Sequence, residues 1–533
     1  MSGIPSPWQV DTTSGVLRLD RVCPVGFLPA AVEQVARFAH VTDDGAEIRW
    51  ERSGAELGHV TPGMHPSGIP VDESHRIHVT PDGIVVVAAT EEGAFRAMTT
   101  IGHAAATGTM ECGTVGDAPR FGWRGLCLDV ARTPLPLDDV RQIVDVLASL
   151  KLNVLHLHLT DDQGWRLPVE GRPELALVGG AMAMAGRPGF AYGSEEYAEF
   201  EAWARERHVW VVPEIDMPGH VGALLKTYPH LAAGTGTPGE YASQLHLDPD
   251  SDEVYELIAD VLAAAARLHG SPYLHIGGDE AFGMADEDYR RVLQRAIAGS
   301  GLDPERVIAW QEGVRADAGI GTLQVWRDLD RAGLESDPEV RRRLGLLAAA
   351  DLDSLTERGR QDVARISAEG RNVVLSPALV SYLDRPYAEA AVLAAGLSGV
   401  GLPIYSPHTV QEAFEFSVDD VVPGLDSACI VGIEAALWTE TIADLQTAKR
   451  MLLPRLAGIA QRAWEQEPEP WGAHADRLRT LSANWDARGF DYFRSEVVWR
   501  DDSDPSASKL AAEPSLAEGC LPVEEVYDRN LVE

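Results

Sequence analysis

Residues 124–161 read RGLCLDVARTPLPLDDVRQIVDVLASLKLNVLHLHLTD, and this stretch predicts a strand, a helix and a second strand in that order. The segments 124–131 and 153–161 are short apolar runs typical of buried strands, and 137–151 has the apolar spacing of an amphipathic helix. Two consecutive strands that are joined through a helix lie parallel in one sheet. The stretch therefore predicts one β/α unit of a parallel fold, which begins near Phe121 where the pattern changes.

The same unit recurs along the chain. Further strand-like runs are found at 209–216, 273–280, 305–312, 321–326, 372–384 and 430–440. Helical segments are predicted between them at 194–208, 251–269 and 286–299. Strands that alternate with helices in eight such units over roughly 350 residues predict a TIM-type (β/α)8 barrel with insertions. A doubly wound sheet is the alternative, but no glycine-rich phosphate loop follows the first strand.

The chain of 533 residues is too long for one ordinary domain, and we divide it into three parts. An N-terminal α+β accessory domain is expected over 1–118, with a hairpin around Pro81–Gly83 and a helix at 91–106. The barrel is expected over 119–470, closed by a long helix at 441–467. A C-terminal helical extension and an acidic tail fill 471–533, and we expect the tail beyond Asp501 to be mobile.

Charge and composition exclude several classes of partner. The net charge is −37, so nucleic acid and anionic membranes would be repelled. No stretch approaches the ~20 consecutive apolar residues that a membrane-spanning helix needs. The N-terminus shows no secretory signal, so we expect a cytoplasmic protein. The five cysteines are odd in number and widely spaced, which disfavours a disulfide framework and a zinc site.

The stretch 273–280, YLHIGGDE, ends a predicted strand on two adjacent carboxylates, Asp279 and Glu280. Neighbouring carboxyls resist double ionisation, so one of the two should have a raised pKa. An acid beside a carboxylate is what cleavage of a glycosidic bond needs. In an extended strand Asp279 would share the face of His275 and Glu280 would not, so the chain must turn here, and Gly277 and Gly278 would permit that turn.

Other polar and aromatic residues are predicted at strand ends, and in this fold the active site lies at the C-terminal ends of the strands. They are Arg132, Asp161, Glu214, Asp216, His220, Trp310, Trp326, Tyr382, Asp384, Trp438 and Glu440. A single carboxylate or tryptophan at a strand end is usually solvated or part of the core. The joint occurrence at all eight ends indicates a site, and the three tryptophans suit a sugar and its apolar substituents.

His156, His158 and His275 share the predicted barrel interior, and two interpretations of them are open. They are either ligands of a metal ion or hydrogen-bonded structural groups. Interior histidines in a polar barrel layer are more often of the second kind, so we predict no metal site.

The barrel region resembles family 20 of the glycoside hydrolases, the β-N-acetylhexosaminidases. The matching motifs, which occur in the family's order, are RGLCLDVAR (124–132), KLNVLHLHLTDDQGWR (151–166), VVPEIDMPGH (211–220), LHIGGDE (274–280), AWQE (309–312) and EAALWTE (434–440). The resemblance implies an exo-acting enzyme that removes terminal, non-reducing N-acetylglucosamine or N-acetylgalactosamine without a cofactor. It also implies a substrate-assisted retaining mechanism, in which the substrate's 2-acetamido oxygen replaces an enzyme nucleophile.

The resemblance assigns a role to every candidate residue except Glu214 and Asp216. Glu280 would be the general acid and then the base, and Asp279 would hold the acetamido N–H and stabilise the charge that develops. The other roles concern the sugar and its surroundings. Arg132 and Glu440 would bind hydroxyls, Asp384 a hydroxyl near C6, and Tyr382 the acetamido oxygen; Trp310, Trp326 and Trp438 would enclose the acetamido methyl; Asp161 and His220 would support Glu280.

One motif departs from the family pattern. The family commonly has a Gly-Leu-x-Trp stretch after the Tyr-Asp pair, whereas residues 401–405 here read GLPIY. Stacking at that edge is then weaker or is supplied by Tyr405. Three alternative functions stay open: a lacto-N-biosidase-like hydrolase that releases a disaccharide, a non-catalytic sugar-binding protein, and a metal-dependent hydrolase. The expected partner is an oligosaccharide or glycoconjugate with a terminal N-acetylhexosamine, and no oligomeric state is predicted.

Overall fold

The computed structural model describes residues 3–54, 63–233, 245–281, 283–327, 349–402, 405–465 and 467–499. The predicted acidic tail beyond Asp501 lies outside the described residues, as do Pro403 and Ile404 of the motif that departs from the family.

Within its described residues, the N-terminal part is one seven-stranded mixed sheet with two helices. Its strands are β1 (Gln9–Arg18), β2 (Arg21–Val25), β3 (His40–Val41), β4 (Ala46–Arg52), β5 (His75–Thr80), β6 (Gly83–Ala88) and β7 (Thr109–Asp117), and its helices are α1 (Pro29–Ala36) and α2 (Glu91–Ala105). The order across the sheet is β1-β7-β5-β6-β4-β2-β3. The predicted hairpin is the β5–β6 pair, with Thr80 opposite Gly83. The predicted helix at 91–106 is α2, which is capped where the Thr90 side chain accepts from the Gly93 N–H.

Eight parallel strands form a closed barrel, which confirms the predicted fold class. They are β8 (Trp123–Asp129), β9 (Val154–His158), β12 (Trp210–Glu214), β13 (Leu274–His275), β14 (Val307–Trp310), β15 (Thr322–Val325), β16 (Asn372–Leu375) and β17 (Ile430–Leu437). Each lies inside or one residue beyond a run predicted from sequence, and the pairing of β17 with β8 closes the barrel. A small ribbon, β10 (Thr160–Asp161) with β11 (Gly164–Trp165), extends from the end of β9.

The helices surround the barrel and follow the apolar pattern of the sequence. They are α3 (Leu137–Ser149), α4 (Ser194–Glu206), α5 (Gly222–Thr227), α6 (Asp252–Leu268), α7 (Asp286–Ser300), α8 (Ala349–Glu369), α9 (Ala378–Ser381), α10 (Ala391–Ala394), α11 (Val410–Phe414), α12 (Leu445–Leu452), α13 (Arg455–Trp464), α14 (Trp471–Arg488) and α15 (Glu496–Trp499). In α3 the buried positions include Val140, Ile143, Val144 and Leu147. Their spacing of three and four residues places them on one face, which packs on the barrel core. Among the helices that the structure describes, none combines the length and apolarity that crossing a membrane requires.

Two predicted elements are wrong in extent. The single helix expected at 441–467 is two helices, α12 and α13, because Pro454 has no N–H and cannot continue a helix. The strand expected at 372–384 ends at Leu375, and α9 follows it from Pro377. Tyr382 then rejoins the barrel through an isolated bridge to Ala436. Tyr382 and Asp384 therefore do not lie at the end of a strand that runs to residue 384, as the sequence predicted.

Buried ion pairs join the N-terminal sheet to the barrel. Glu73 accepts hydrogen bonds from Arg124 at 2.6 and 2.8 Å, and Asp117 accepts from the Lys151 Nζ at 2.5 Å and the Trp464 Nε1 at 2.7 Å. Arg124 lies at the start of β8, and Lys151 precedes β9. The contact therefore lies at the N-terminal ends of the strands, opposite the end where the candidate site is expected.

Candidate active site

The two candidate catalytic carboxylates follow β13 through a left-handed turn. Gly277 has φ +66°, Gly278 has φ +98° and Glu280 has φ +45°. A Cβ on Gly277 would lie 1.7 Å from Asp216 Oδ1, and the Gly278 N–H donates to that same oxygen at 3.0 Å. The two glycines permit the turn, as the sequence predicted. They also bring the end of β13 against Asp216, which follows β12.

Asp279 and Glu280 differ in how far they are exposed. The side chain of Asp279 is 13% exposed, and that of Glu280 is 32% exposed. Asp279 Oδ1 is buried and has no hydrogen-bond partner within the described ranges. A buried carboxylate oxygen without a donor is costly, so this atom is suited to receive an N–H or O–H from a bound molecule.

The raised pKa belongs to Asp279. Burial, followed by the negative charge of Glu280, raises the pKa of Asp279 to about 7 against the opposing charge of His220. Burial also acts on Glu280, but hydrogen bonding to His220 and the positive charges of His220 and Arg327 outweigh it and hold that pKa below its usual value. The sequence predicted one raised pKa in the pair without saying which. In the free protein the more tightly held proton is on Asp279.

His220 lies between the two carboxylates and Asp161. Its Nε2 is 3.7 Å from Glu280 Oε2 and 3.8 Å from Asp279 Oδ2, and its Nδ1 is 3.4 Å from Asp161 Oδ1. Burial disfavours the imidazolium, but the charge and hydrogen bond of Asp161 outweigh it and raise the pKa of His220 well above its usual value. His220 is therefore a cation that faces both Asp279 and Glu280.

Arg132, at the end of the first predicted strand, holds the acidic side chains on the other flank. It forms ion pairs with Asp161 at 2.8 Å, with Asp129 at 3.3 Å and with Glu440 at 3.5 Å. Its guanidinium also lies over the ring of Trp438, 5.4 Å from the ring centroid. The three predicted residues Arg132, Asp161 and Glu440 are thus brought together.

The aromatic candidates form one continuous group. Trp310 and Trp438 have ring centroids 6.0 Å apart, Trp438 and Tyr382 are 5.9 Å apart, and Trp326 and Tyr382 are 6.3 Å apart with nearly parallel rings. Trp310 is only 1% exposed and its indole N–H donates to Glu214. Trp326 and Trp438 are half-buried, so these two present aromatic surface to a ligand while Trp310 closes the base of the group.

Asp384 is a buried carboxylate with both oxygens lacking a hydrogen-bond partner among the residues described. Burial, and then the charge of Glu440, raises the pKa of Asp384 to about 8. Glu440 is buried as well, and its pKa is also raised. Such groups suit the hydroxyls of a sugar, which would supply the donors that the free protein lacks.

Tyr405 does not supply a free stacking face. It is 9% exposed, meets Tyr382 edge to face at 6.1 Å, and has the Arg385 guanidinium over its ring at 5.6 Å. Tyr405 therefore packs against the Tyr382 ring and does not offer its own ring to a ligand. Of the two alternatives for this edge, the structure therefore disfavours stacking by Tyr405.

Three residues near the pair received no role from sequence. Asp216 accepts from the turn at Gly278, and burial raises its pKa well above the usual value. Glu312 accepts from the Trp326 indole N–H at 3.2 Å, and Arg327 lies 3.3 Å from Glu312 and 3.8 Å from Glu280. Asp216 and Glu312 stand in the quoted motifs, so motif position was the available signal. Arg327 follows Trp326 directly and lies in none of them.

The barrel interior contains the histidines for which two interpretations were open. His156, Glu214 and His275 lie close enough together to hold an ion. However, both Glu214 oxygens already accept hydrogen bonds, Oε1 from the Trp310 indole N–H at 2.8 Å and Oε2 from His158 Nδ1 at 2.6 Å. This geometry is that of the hydrogen-bonded interpretation.

Comparison with known proteins identifies two regions of the chain. Residues 121–467 match the profile described as glycosyl hydrolase family 20, catalytic domain, and residues 2–118 match glycosyl hydrolase family 20, domain 2. The chain is 30% identical to a beta-N-acetylhexosaminidase of Cellulomonas fimi over 517 residues, which cover 93% of this chain and 97% of that protein.

Solved structures agree with these matches. The chain is similar to the Streptomyces plicatus N-acetyl-beta-hexosaminidase in complex with Thio-NAglucal, with a TM-score of 0.77, 29% identity and coverage of 93% of this chain and 97% of that one. It is also similar to the GH20 beta-N-acetylhexosaminidase from Streptomyces coelicolor A3(2), with a TM-score of 0.76, 28% identity and coverage of 93% and 98%.

Proposed function

The chain belongs to glycosyl hydrolase family 20, and we infer that it is an exo-acting β-N-acetylhexosaminidase with a substrate-assisted retaining mechanism. Its substrates are oligosaccharides or glycoconjugates that carry a terminal, non-reducing N-acetylhexosamine. The observation that carries this inference is the pair Asp279–Glu280, in which a buried and unpartnered carboxylate oxygen lies next to a partly exposed carboxyl. The cytoplasmic location stays a prediction.

The reaction has two steps, and Glu280 acts in both. In the first, the acetamido oxygen of the substrate forms a bond to the anomeric carbon while the glycosidic bond breaks, and Glu280 gives its proton to the departing oxygen. In the second, Glu280 takes a proton from water as that water attacks the same carbon and opens the oxazolinium-type ring. Two inversions retain the configuration.

Binding of the acetamido group supplies the protonation state that this reaction needs. The free pair holds its more basic proton on Asp279, whereas the mechanism needs that proton on Glu280. An acetamido N–H that donates to the unpartnered Oδ1 of Asp279 favours the ionised form of that group. The proton then resides on Glu280, and the Asp279 charge stabilises the positive ring as it forms.

The remaining residues bind the sugar. Trp326 and Trp438 enclose the acetamido methyl, with Trp310 beneath them, and Tyr382 donates to the acetamido oxygen. Arg132, Asp384 and Glu440 form hydrogen bonds with the sugar hydroxyls. The buried and unpartnered oxygens of Asp384 support this assignment, because a hydroxyl there satisfies them.

One side-by-side assay tests the function. We expect an aryl N-acetylglucosaminide to be cleaved with retention and the corresponding aryl glucoside to be cleaved negligibly, because the glucoside lacks the attacking group. A thiazoline that mimics the intermediate should inhibit strongly. Comparable rates on the two aryl sugars would contradict the substrate-assisted mechanism, and preferred release from a disaccharide glycoside would favour the lacto-N-biosidase alternative.

A further inference from the structure

Glu214 is a fully buried carboxylate at the end of β12 with hydrogen-bond partners on both oxygens. Its Oε1 accepts from Trp310 Nε1 at 2.8 Å and lies 3.0 Å from His275 Nδ1. Its Oε2 accepts from His158 Nδ1 at 2.6 Å and lies 3.2 Å from His156 Nε2. Glu214 is thus fixed by four neighbouring side chains, and it lies below the candidate site without being exposed to it.

His158 connects Glu214 to Asp161. Its side chain is 2% exposed, and its second ring nitrogen, Nε2, lies 2.7 Å from Asp161 Oδ2. Both ring nitrogens face carboxylates, so both carry protons and the ring is a cation. Burial opposes that charge, but Glu214, and with it Asp161, outweighs burial and raises the pKa of His158 well above its usual value.

Asp161 connects His158 to His220, which faces Asp279 and Glu280. Its Oδ2 is shared between His158 and Arg132, which is 2.8 Å away, and its Oδ1 is 3.4 Å from His220. His220 is in turn 3.7 Å from Glu280. A continuous series of alternating charges therefore runs from the barrel interior to the general acid.

We propose that the Glu214–His158 pair is a positioning device that fixes Asp161, and through Asp161 and His220 sets the placement of Glu280. Neither member touches the substrate. The inference rests on the proposed function, in which Glu280 is the general acid. Without His158, Asp161 Oδ2 would keep the ion pair with Arg132 but lose its hydrogen bond to the barrel interior. Proton delivery to the leaving group should then suffer most.

His156 offers a matched control on the same strand. It lies two residues before His158 on the same face, is equally buried, and approaches the same Glu214 oxygen. Its other nitrogen, however, lies 2.8 Å from Glu434 and not beside Asp161. A change at His156 removes a contact to the same Glu214 oxygen but no direct contact with Asp161.

The experiment compares His158→Leu, His158→Gln and His156→Gln on aryl N-acetylglucosaminides with poor and activated leaving groups. Glu280→Gln serves as the reference. His158→Leu should lose about 10–100-fold in kcat on the poor leaving group, a part of the roughly 10²–10⁴-fold that a general acid contributes, and much less on the activated one. His158→Gln should lose less, because its amide still reaches Asp161. Any loss in His156→Gln should be equal on both substrates.

Thermal unfolding of each variant separates positioning from folding, since only variants that unfold cooperatively near the wild-type temperature are compared. Equal losses for His158→Leu on both substrates, while Glu280→Gln shows the leaving-group dependence, would overturn the positioning role alone. If Glu280→Gln itself shows no such dependence, the proposed function fails instead. If His158→Leu does not fold, the same test applies to His158→Gln against His156→Gln.

Discussion

The proton shared by Asp279 and Glu280 sets an expected pH dependence. The pKa of Asp279 is about 7 and that of Glu280 is lower, so the pair holds one proton up to about pH 7 and none above it. The mechanism needs one proton on the pair. We therefore predict that kcat/KM falls as pH rises through about 7, measured on the free enzyme at low substrate concentration.

The variant Asp279→Asn checks the origin of this limb. The proton would then be held by Glu280 alone, so the fall in kcat/KM should move to lower pH. Activity should also drop roughly 10²–10³-fold, with activated leaving groups affected too, because a preorganised charge is lost. Asp162→Asn is the control. Burial raises the pKa of Asp162 only to about 6, so the fall in kcat/KM should stay near pH 7 in this variant. A limb at pH 7 that persists in Asp279→Asn would belong to another group.

The buried carboxyl of Asp384 is expected to lower the stability of the free enzyme at high pH while it serves substrate binding. Its pKa in the folded protein is about 8, and in an unfolded chain about 3.9, so the folded state binds this proton more tightly. The free energy of unfolding contributed by this group therefore falls as pH rises from about 4 to about 8. Asp384→Asn should raise the stability of the free enzyme by about 1–3 kcal/mol near pH 8, the scale of an unmatched buried polar group, and have little effect near pH 4.

The measurement for Asp384→Asn is thermal unfolding across that pH range, paired with kcat/KM. Activity should fall, because a sugar hydroxyl loses its acceptor charge. The exposed turn residue Asp82 gives a control, Asp82→Asn, which should change neither quantity. A variant that is less stable than the wild type at pH 8 would show that Asp384 has a partner in the free enzyme.

At the scale of elements, the sequence predicted most of the fold. The eight apolar runs were readable because strands that are buried on both faces are nearly continuous in apolar residues. Each side chain at a strand end could then be assigned to one rim. The error at 372–384 arose because NVVLSPALVSYLD is apolar throughout, and length alone did not reveal that Pro377 starts a helix. Tyr382 reached the site all the same, since a bridge to β17 holds it there.

The turn after β13 is the element on which the pair depends, and Gly277→Ala tests it. A Cβ there would lie 1.7 Å from Asp216 Oδ1, and φ is +66°, so the turn and Asp216 must both move. We expect a loss of kcat as well as of stability. Gly301→Ala is the matched control, because Gly301 has φ +71° and nothing within 4 Å of an added Cβ.

Gly301→Ala should cost about 1–3 kcal/mol for the strained backbone alone and leave kcat/KM unchanged. The two variants thereby separate left-handed strain from displacement of Asp216. If both lost activity equally, the contact between Gly277 and Asp216 would not be what places the pair.

At the scale of the whole molecule, the sequence could not predict how the N-terminal sheet joins the barrel. Glu73 and Asp117 find Arg124 and Lys151 only after folding, and nothing in their spacing marks them as partners. The same holds inside the site. Motifs identified Asp279 and Glu280, but which of them keeps its proton depends on His220 and Arg327, which reach the pair from other loops.

Lys151→Met tests whether the join between sheet and barrel is structural only. Lys151 is fully buried, donates to Asp117 and lies over the Trp464 ring at 4.5 Å; methionine keeps the apolar stem and leaves Asp117 as an uncompensated buried charge. The expected loss is about 3–5 kcal/mol of stability. The exposed Lys226 gives the control Lys226→Met, which should change stability by less than about 0.5 kcal/mol. The double variant with Asp117→Asn should lose less than the sum of the two single losses, because the unpaired charge is gone.

Since this contact lies at the N-terminal ends of the strands, kcat/KM of the folded variant at 25 °C should equal that of the wild type. A variant of normal stability with impaired turnover would instead show that the N-terminal sheet acts on the catalytic pair.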